Sequence, residues 1–170
     1  MNNYSRFLAG LVAAPHTPFH SNGSLRLETV SQQAEILKAN GLAGAFICGS
    51  TGESHSLTTA ERMQVAEAWK GALGASEIKL IVHSGHNCVE DARALAAHAQ
   101  QIGAHAIAIM APCYFKPATV EDLLDFCAPV AAAACKLPFY FYDIPALTGV
   151  NLSMVEFLKQ GIACIPNLAG

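Results

Sequence analysis

Short, uninterrupted apolar runs alternate along the chain with longer stretches whose apolar residues recur at helical spacing. The run over residues 7–14 reads as a first strand. Residues 25–40 follow, with Leu27, Val30, Ala34 and Leu37 on one helical face and Gly41 as a natural stop. Residues 43–48 predict a second strand and 58–73 a second helix. The entrance Thr58-Thr59-Ala60-Glu61 has the Thr-x-x-Glu form of a capping box, in which hydroxyl and carboxylate satisfy orphan backbone N–H groups. Strands over 78–83, 106–110 and 139–142, and helices over 88–102, 120–134 and 153–160, complete the pattern. Gly103 ends the third helix and Pro112 closes the fourth strand. Glu121 and Asp122 lie in the first turn of the fourth helix, where the helix dipole favours acids.

A βα order repeated five times predicts a parallel sheet with helical crossovers, an α/β fold. Two topologies satisfy it, the doubly wound sheet and the (β/α)8 barrel. No GxGxxG follows the first strand, which speaks against the dinucleotide-binding version of the former. No linker or low-complexity stretch divides residues 1–170, which read as belonging to one domain.

Composition narrows the partners. Hydrophobic residues make up 52% and charged residues 14%, a balance that fits a strongly buried architecture and argues against disorder. A net charge of −3 leaves no basic footprint for nucleic acid. The longest apolar runs, such as 104–111, fall far short of the roughly 20 residues that span a bilayer, so no membrane partner is expected. The polar start Met1-Asn2-Asn3-Tyr4-Ser5-Arg6 carries neither a basic n-region nor a small-residue cleavage site, so no signal peptide is expected. Six cysteines, none spaced CxxC, read as free buried thiols and point to a reducing, cytoplasmic location.

In parallel α/β folds the chemistry sits where strands end and loops begin. After the second strand comes Gly49-Ser50-Thr51-Gly52-Glu53. Its two glycines, two hydroxyls and closely spaced backbone N–H groups suit a small carboxylate, because several donors can converge on one anion. The same tetrapeptide also serves as a plain βα turn with serine as a helix cap. Glu53 reads either as a general base or as a structural acceptor. After the third strand, His83-Ser84-Gly85-His86 invites a metal reading, but the spacing is loose and no carboxylate or thiolate adjoins it. The remaining histidines are scattered and read as surface or loop residues. Tyr114 follows the fourth strand and Tyr142 ends the fifth. Each is either a packed ring or a hydroxyl that points into a site, where it can pass a proton.

The loop 49–53, the turn Pro112-Cys113-Tyr114 and the stretch 142–150 together resemble the N-acetylneuraminate lyase and dihydrodipicolinate synthase superfamily. These are class I pyruvate aldolases on a (β/α)8 barrel. The likeness runs over nearly the whole chain, from Gly10-Leu11-Val12-Ala13-Ala14 and Thr17-Pro18-Phe19 onward. It implies that Ser50 and Thr51 bind the pyruvate carboxylate, that Gly49 and Gly52 shape the loop, and that Thr148 joins the substrate site. It also implies that Tyr142 shuttles the proton, with Ser50 and Tyr114 completing a hydroxyl relay. The Tyr114-type residue is typically lent by a neighbouring subunit, which implies a homo-oligomer, a tetramer at full length. No cofactor or metal is implied; the substrates would be sialic acid and pyruvate. Ile144-Pro145-Ala146-Leu147-Thr148-Gly149-Val150 looks more like the sialic acid lyase branch. The synthase branch usually carries an arginine where Leu147 stands, and a leucine cannot pair with the aldehyde substrate's carboxylate. Other sugar-acid aldolases also lack that arginine, and a dihydrodipicolinate synthase-like reaction stays open.

Class I aldolases need a lysine that forms an imine with the pyruvate carbonyl, the electron sink for cleavage. Of the six lysines, Lys38, Lys70, Lys136 and Lys159 lie on or beside predicted helices, Lys79 opens the third strand at its amino end, and Lys116 does not match the family position. In the family the lysine lies on strand six, and Asn167-Leu168-Ala169-Gly170 looks like the start of that strand, with the lysine expected just beyond it. A whole barrel takes about 250 residues. The expectation is therefore five βα units and the start of a sixth strand, the amino-terminal part of a single aldolase barrel, inactive by itself. A non-catalytic truncated product with unpaired strand edges is the alternative.

Overall fold

The computed structural model describes residues 8–170. Five strands, β1 (Val12–Ala13), β2 (Gly44–Ile47), β3 (Lys79–His83), β4 (Ala106–Ile109) and β5 (Phe139–Phe141), form one parallel sheet in the order β1-β2-β3-β4-β5. Neighbours in sequence are neighbours in space. A doubly wound sheet would reverse its order at a switch point, so the order favours the barrel topology of the two the sequence left open. Beyond β5, Leu168 bridges Phe139 in parallel, and the N–H groups of Ala169 and Phe141 donate to Phe139 O and Gly170 O, each at 2.8 Å. The segment 167–170 thus takes the place of a sixth strand.

The helices that cross between strands are α1 (Val30–Ala39), α2 (Thr59–Leu73), α3 (Val89–Gln101), α4 (Val120–Ala133), a short α5 (Pro145–Thr148) and α6 (Met154–Cys164). The capping box at Thr58 forms as the sequence predicts: its hydroxyl accepts from Glu61 N while the Glu61 carboxylate accepts from Thr58 N. An equivalent box between Thr119 and Asp122 starts α4.

Most boundaries shift by a residue or two and the first helix starts at Val30 rather than 25; three further differences have a visible reason or consequence. The first strand shrinks to two residues, after Gly10 at φ +119, and Phe7 lies outside the described residues. The helix predicted to end at Gln160 runs on to Cys164. Gly161 is tolerated inside it because a Cβ there would lie 2.8 Å from Leu168 Cδ2: the helix needs a bare backbone to approach the sixth-strand segment. The third is α5, which the motif 142–150 concealed; Pro145 opens it and Gly149, at φ +66, closes it.

Side chains alternate across the sheet. Leu80 and Val82 of β3 face the helices and join a large core with Trp69, Ala96, Leu123 and Phe157. Burying each of the larger side chains stabilises the fold by roughly 2–3 kcal/mol. Ile81 faces the other way, into a small cluster with Ala106 and Ala108, edged by Leu8, Phe46 and Tyr140. This second face carries an open apolar cavity of about 250 Å³. The cysteines correct one expectation. All six are free, but only Cys48 and Cys127 are buried, whereas Cys88, Cys135 and Cys164 are exposed.

Candidate active site

The loop after β2 is built under strain. Cys48 and Glu53, neither of them glycine, sit at φ 55 and φ 62 and bracket Gly49 to Gly52. Left-handed backbone at such residues costs on the order of 1 kcal/mol each and persists only where the surroundings enforce it. They do so here. Thr17 Oγ1 donates to Gly52 O at 2.7 Å, Glu53 N to Ser50 O at 3.1 Å and Ser54 N to Gly49 O at 3.2 Å. Both glycines are sterically required: a Cβ on Gly49 would lie 2.6 Å from the Phe46 ring, and one on Gly52 would lie 3.0 Å from Cys48 N.

These bonds turn the loop's carbonyls inward. The N–H groups of Ser50, Thr51 and Gly52 donate to no acceptor among the described residues, and the Ser50 hydroxyl is buried without a partner there. Thr51 is exposed. Ser50 lines a cavity of about 280 Å³ with Glu53, Ser54, His55, Met110 and Leu147. Glu53 is exposed, and its carboxylate bonds no described group. A larger cavity, about 500 Å³, lies at the opposite, amino end of the strands around Ser76 and Lys79 and touches none of the candidate residues.

Tyr142 follows β5 on the sheet face opposite the helices. Its ring stands edge-on to Phe46, with centroids 5.6 Å apart, and to His83 at 6.4 Å. Phe46 and His83 are themselves edge-on at 6.0 Å, so three rings close one layer at the carboxyl ends of β2, β3 and β5. Tyr114 stands apart. It is 77% exposed, its ring stands edge-on to Phe115 at 4.8 Å, and its loop is held by Asn87, whose Oδ1 accepts from Cys113 N at 2.9 Å and Tyr114 N at 3.1 Å. No hydrogen bond joins Ser50, Tyr114 and Tyr142 among the described residues. The Thr148 hydroxyl is engaged within its own turn, donating to Ile144 O and accepting from Val150 N, both at 3.2 Å.

Sequence reasoning missed the layer beneath the loop. Arg62, on α2, is 1% exposed and has no carboxylate partner within ion-pair distance among the described residues. It donates to Gly85 O at 2.8 Å and His83 O at 2.7 Å, and lies 3.3 Å from His83 Nδ1. Only its arginine identity amid buried helix positions could have signalled this. His83, the last residue of β3, is fully buried, and burial first, then Arg62, holds it well below the usual imidazole range. His86 turns elsewhere, its Nδ1 accepting from Cys88 N at 3.0 Å, so the two histidines of that motif do not converge. His105 is half-buried, with Nδ1 accepting from Leu80 N. Among the described residues no cluster of three metal-binding side chains forms. Of the lysines, Lys116 alone reaches the carboxyl-end loops, its ammonium lying against Gly149.

Fold and geometry together define an α/β protein of sequentially ordered parallel strands, with a loop after the second whose N–H groups are unclaimed among the described residues. The dihydrodipicolinate synthetase family model matches residues 7–170, and the chain belongs to that family, one of class I pyruvate-dependent aldolases. It is 42% identical to human N-acetylneuraminate lyase over 164 residues, which is 96% of this chain and 51% of the human protein. The solved N-acetylneuraminate lyase of Aliivibrio salmonicida superposes with a TM-score of 0.92 at 41% identity, over 96% of this chain and 54% of that one. The dihydrodipicolinate synthase of Aquifex aeolicus superposes with a TM-score of 0.85 at 32% identity, over 93% and 52%. The chain spans about half the length of the curated relatives it matches, and its five strands correspond to about half of the family's barrel.

Proposed function

We propose that residues 1–170 are the carboxylate-binding part of an N-acetylneuraminate lyase-like aldolase. The parent reaction cleaves N-acetylneuraminate to pyruvate and N-acetylmannosamine through a lysine imine. The carrying observation is the loop 49–52, where three N–H groups and a buried hydroxyl, all without partners among the described residues, adjoin one another. In this reading Ser50 and Thr51 hold the pyruvate carboxylate, Gly49 and Gly52 keep the loop open to it, and Tyr142 moves the proton at the carbon–carbon bond that breaks. Thr148 acts through the turn it closes beside Tyr142, and Tyr114 serves a site completed between subunits of a homotetramer.

The lyase branch is favoured over the synthase branch by the identities, 42% and 41% against 32%, and by Leu147, which offers no charge to a second carboxylate. Six free thiols support a reducing compartment such as the cytoplasm. No described helix is long and apolar enough to cross a membrane.

The imine-forming lysine lies outside residues 1–170 in this reading, so the chain binds pyruvate without trapping it. Titrating pyruvate into isotope-labelled chain should shift the Ser50, Thr51 and Gly52 amides, while uncharged pyruvamide leaves them in place. Borohydride added with pyruvate should yield no adduct; a stable adduct on any of the six lysines would sink the proposal. Joined to the second half of a lyase relative, the chain should support cleavage of N-acetylneuraminate and not condensation with aspartate semialdehyde.

A further inference from the structure

Arg62 carries a full charge into a place where no carboxylate of the described residues lies within ion-pair distance, Asp91 acting on it only from farther off. Removing a guanidinium from water costs several kcal/mol unless its donors are satisfied. Here that is done in part by carbonyl dipoles at the end of β3: Gly85 O takes Nη1 at 2.8 Å and His83 O takes Nη2 at 2.7 Å, while Nε is buried without a partner among the described residues. The same Nη2 lies 3.3 Å from His83 Nδ1, and Ser54 Oγ lies 3.1 Å from that nitrogen on another side. A guanidinium can only donate. With Nη2 as the donor to it, His83 Nδ1 is the acceptor and the ring proton falls on Nε2, which is buried with no hydrogen-bond partner among the described residues.

Two walls of the candidate site lean on this ring. Ser54, which donates its hydroxyl to Nδ1, also donates its N–H to Gly49 O and so anchors the carboxylate loop. On the other side the imidazole meets Tyr142 edge-on at 6.4 Å and Phe46 at 6.0 Å, and Phe46 is the ring against which Gly49 rests. The Cys48 thiol donates to Arg62 O at 3.9 Å, tying the start of the loop to α2. Cys48 and His55 from the loop and Asp91 from α3 are the other titratable groups that act on this pair.

We propose that Arg62 is a positioning residue: it holds His83 as the Nε2–H tautomer and, through that ring, sets the carboxylate loop and Tyr142 at a fixed separation. The proposal rests on the reading of the loop as a carboxylate site. It goes beyond that reading in assigning the geometry of both walls to a side chain that touches neither substrate nor reacting atoms. A plain structural arginine would fasten α2 to β3 and leave the imidazole's proton indifferent to it.

The test uses the whole chain labelled with ¹⁵N at histidine, with His83 assigned by its loss in His83→Asn. In the unmodified chain the His83 ring nitrogens should report a neutral Nε2–H tautomer throughout the range pH 5–8 (roughly the span over which ordinary imidazoles titrate). Arg62→Met should mix in the Nδ1–H tautomer or make the ring protonatable, and weaken pyruvate binding at the Ser50 and Thr51 amides by about tenfold, the scale of one lost charged hydrogen bond. Arg62→Lys, which can reach a carbonyl but not all three acceptors, should restore part of both. Ser54→Ala should leave the tautomer in place and still weaken pyruvate about threefold, as one neutral hydrogen bond is lost. An unchanged His83 spectrum in Arg62→Met, with pyruvate affinity within about twofold of the parent, overturns the proposal. Should Arg62→Met not fold, Arg62→Lys with an unaltered tautomer together with Ser54→Ala of unaltered affinity overturns it equally. If the unmodified chain binds no pyruvate, the carboxylate reading fails by itself, while the ring-nitrogen spectra of the variants still decide what Arg62 does.

Discussion

The loop after β2 and the loop after β4 both carry candidate site residues, and they are built in opposite ways. In the first, Gly49, Gly52 and Ser54 are buried, two non-glycine residues are forced to positive φ, and the Ser54 hydroxyl meets His83 of β3, whose carbonyl takes the Arg62 guanidinium of α2. In the second, Tyr114 and Phe115 are 77% and 85% exposed, and one asparagine side chain holds the backbone. The difference teaches which half of the site this chain organises by itself. The loop proposed to hold the carboxylate has its geometry fixed by its own neighbours. The Tyr114 loop presents aromatic rings to whatever adjoins it, in keeping with a residue that acts across a subunit boundary.

The sharpest way to break the contrast is Gly52→Val. A Cβ at Gly52 meets Cys48 N at 3.0 Å and Cys48 Cα at 3.2 Å, and backbone cannot step aside as a side-chain tip can. Overpacking of this kind costs about 3 kcal/mol. The variant should unfold at correspondingly lower urea concentration and lose pyruvate-dependent shifts at Ser50 and Thr51. A urea midpoint within error of the parent would mean that the loop yields freely, and the contrast with the Tyr114 loop would vanish.

What the sequence disclosed of this contrast, and what it hid, follows from the range of the interactions. Strand and helix order was legible because apolar blocks and caps are local signals: Thr58 and Glu61 are three residues apart and form the predicted box. The glycines at 49 and 52 were legible as a loop, but not the reason for them, since Phe46 comes to Gly49 by chain reversal and Thr17 reaches Gly52 from 35 residues away. Arg62 was invisible because its acceptors, His83 O and Gly85 O, belong to the next strand and the loop beyond it; on the helix it is one more charged residue. The helix at Pro145–Thr148 was hidden because four residues carry too little periodicity to register. Tyr114 and Tyr142 were equal candidates by position, and only burial separates a ring in a packed layer from a ring in solvent.

A gentler probe uses the thiols at the edges of the two loops. Burial pushes the Cys48 thiol up to about 11, with Arg62 opposing in part, whereas Cys113 is only partly covered. Because the folded state holds the Cys48 proton more tightly than the unfolded chain does, its contribution to stability is whole below about pH 8.5 and declines as pH rises toward 11. The loss is on the order of 2 kcal/mol across that window. Urea melts at pH 8 and pH 10.5 should differ in that direction, and replacing Cys48 by alanine should flatten the dependence. At pH 8, iodoacetamide should modify Cys113 in the native protein and Cys48 only on unfolding. Native alkylation of Cys48 at a rate near that of Cys113 would show the carboxylate loop to be as open as the Tyr114 loop.

The smallest effect is expected from Phe115→Ser. An edge-to-face pair such as Tyr114–Phe115, 4.8 Å apart, is worth at most about 1 kcal/mol, and less where both rings already meet water. With Phe115 85% exposed, its removal should move the stability of the isolated chain by no more than about 0.5 kcal/mol. Its consequence should lie elsewhere: an exposed aromatic pair beside a loosely held loop is a contact surface, and sedimentation across a concentration series should show weaker self-association once one ring is gone. A stability loss as large as that of Gly52→Val would place Phe115 in a packed environment and equate the two loops. A small stability change with undiminished association would leave the loop exposed but move the boundary between subunits away from it, and with it the support for Tyr114 as a residue shared across that boundary.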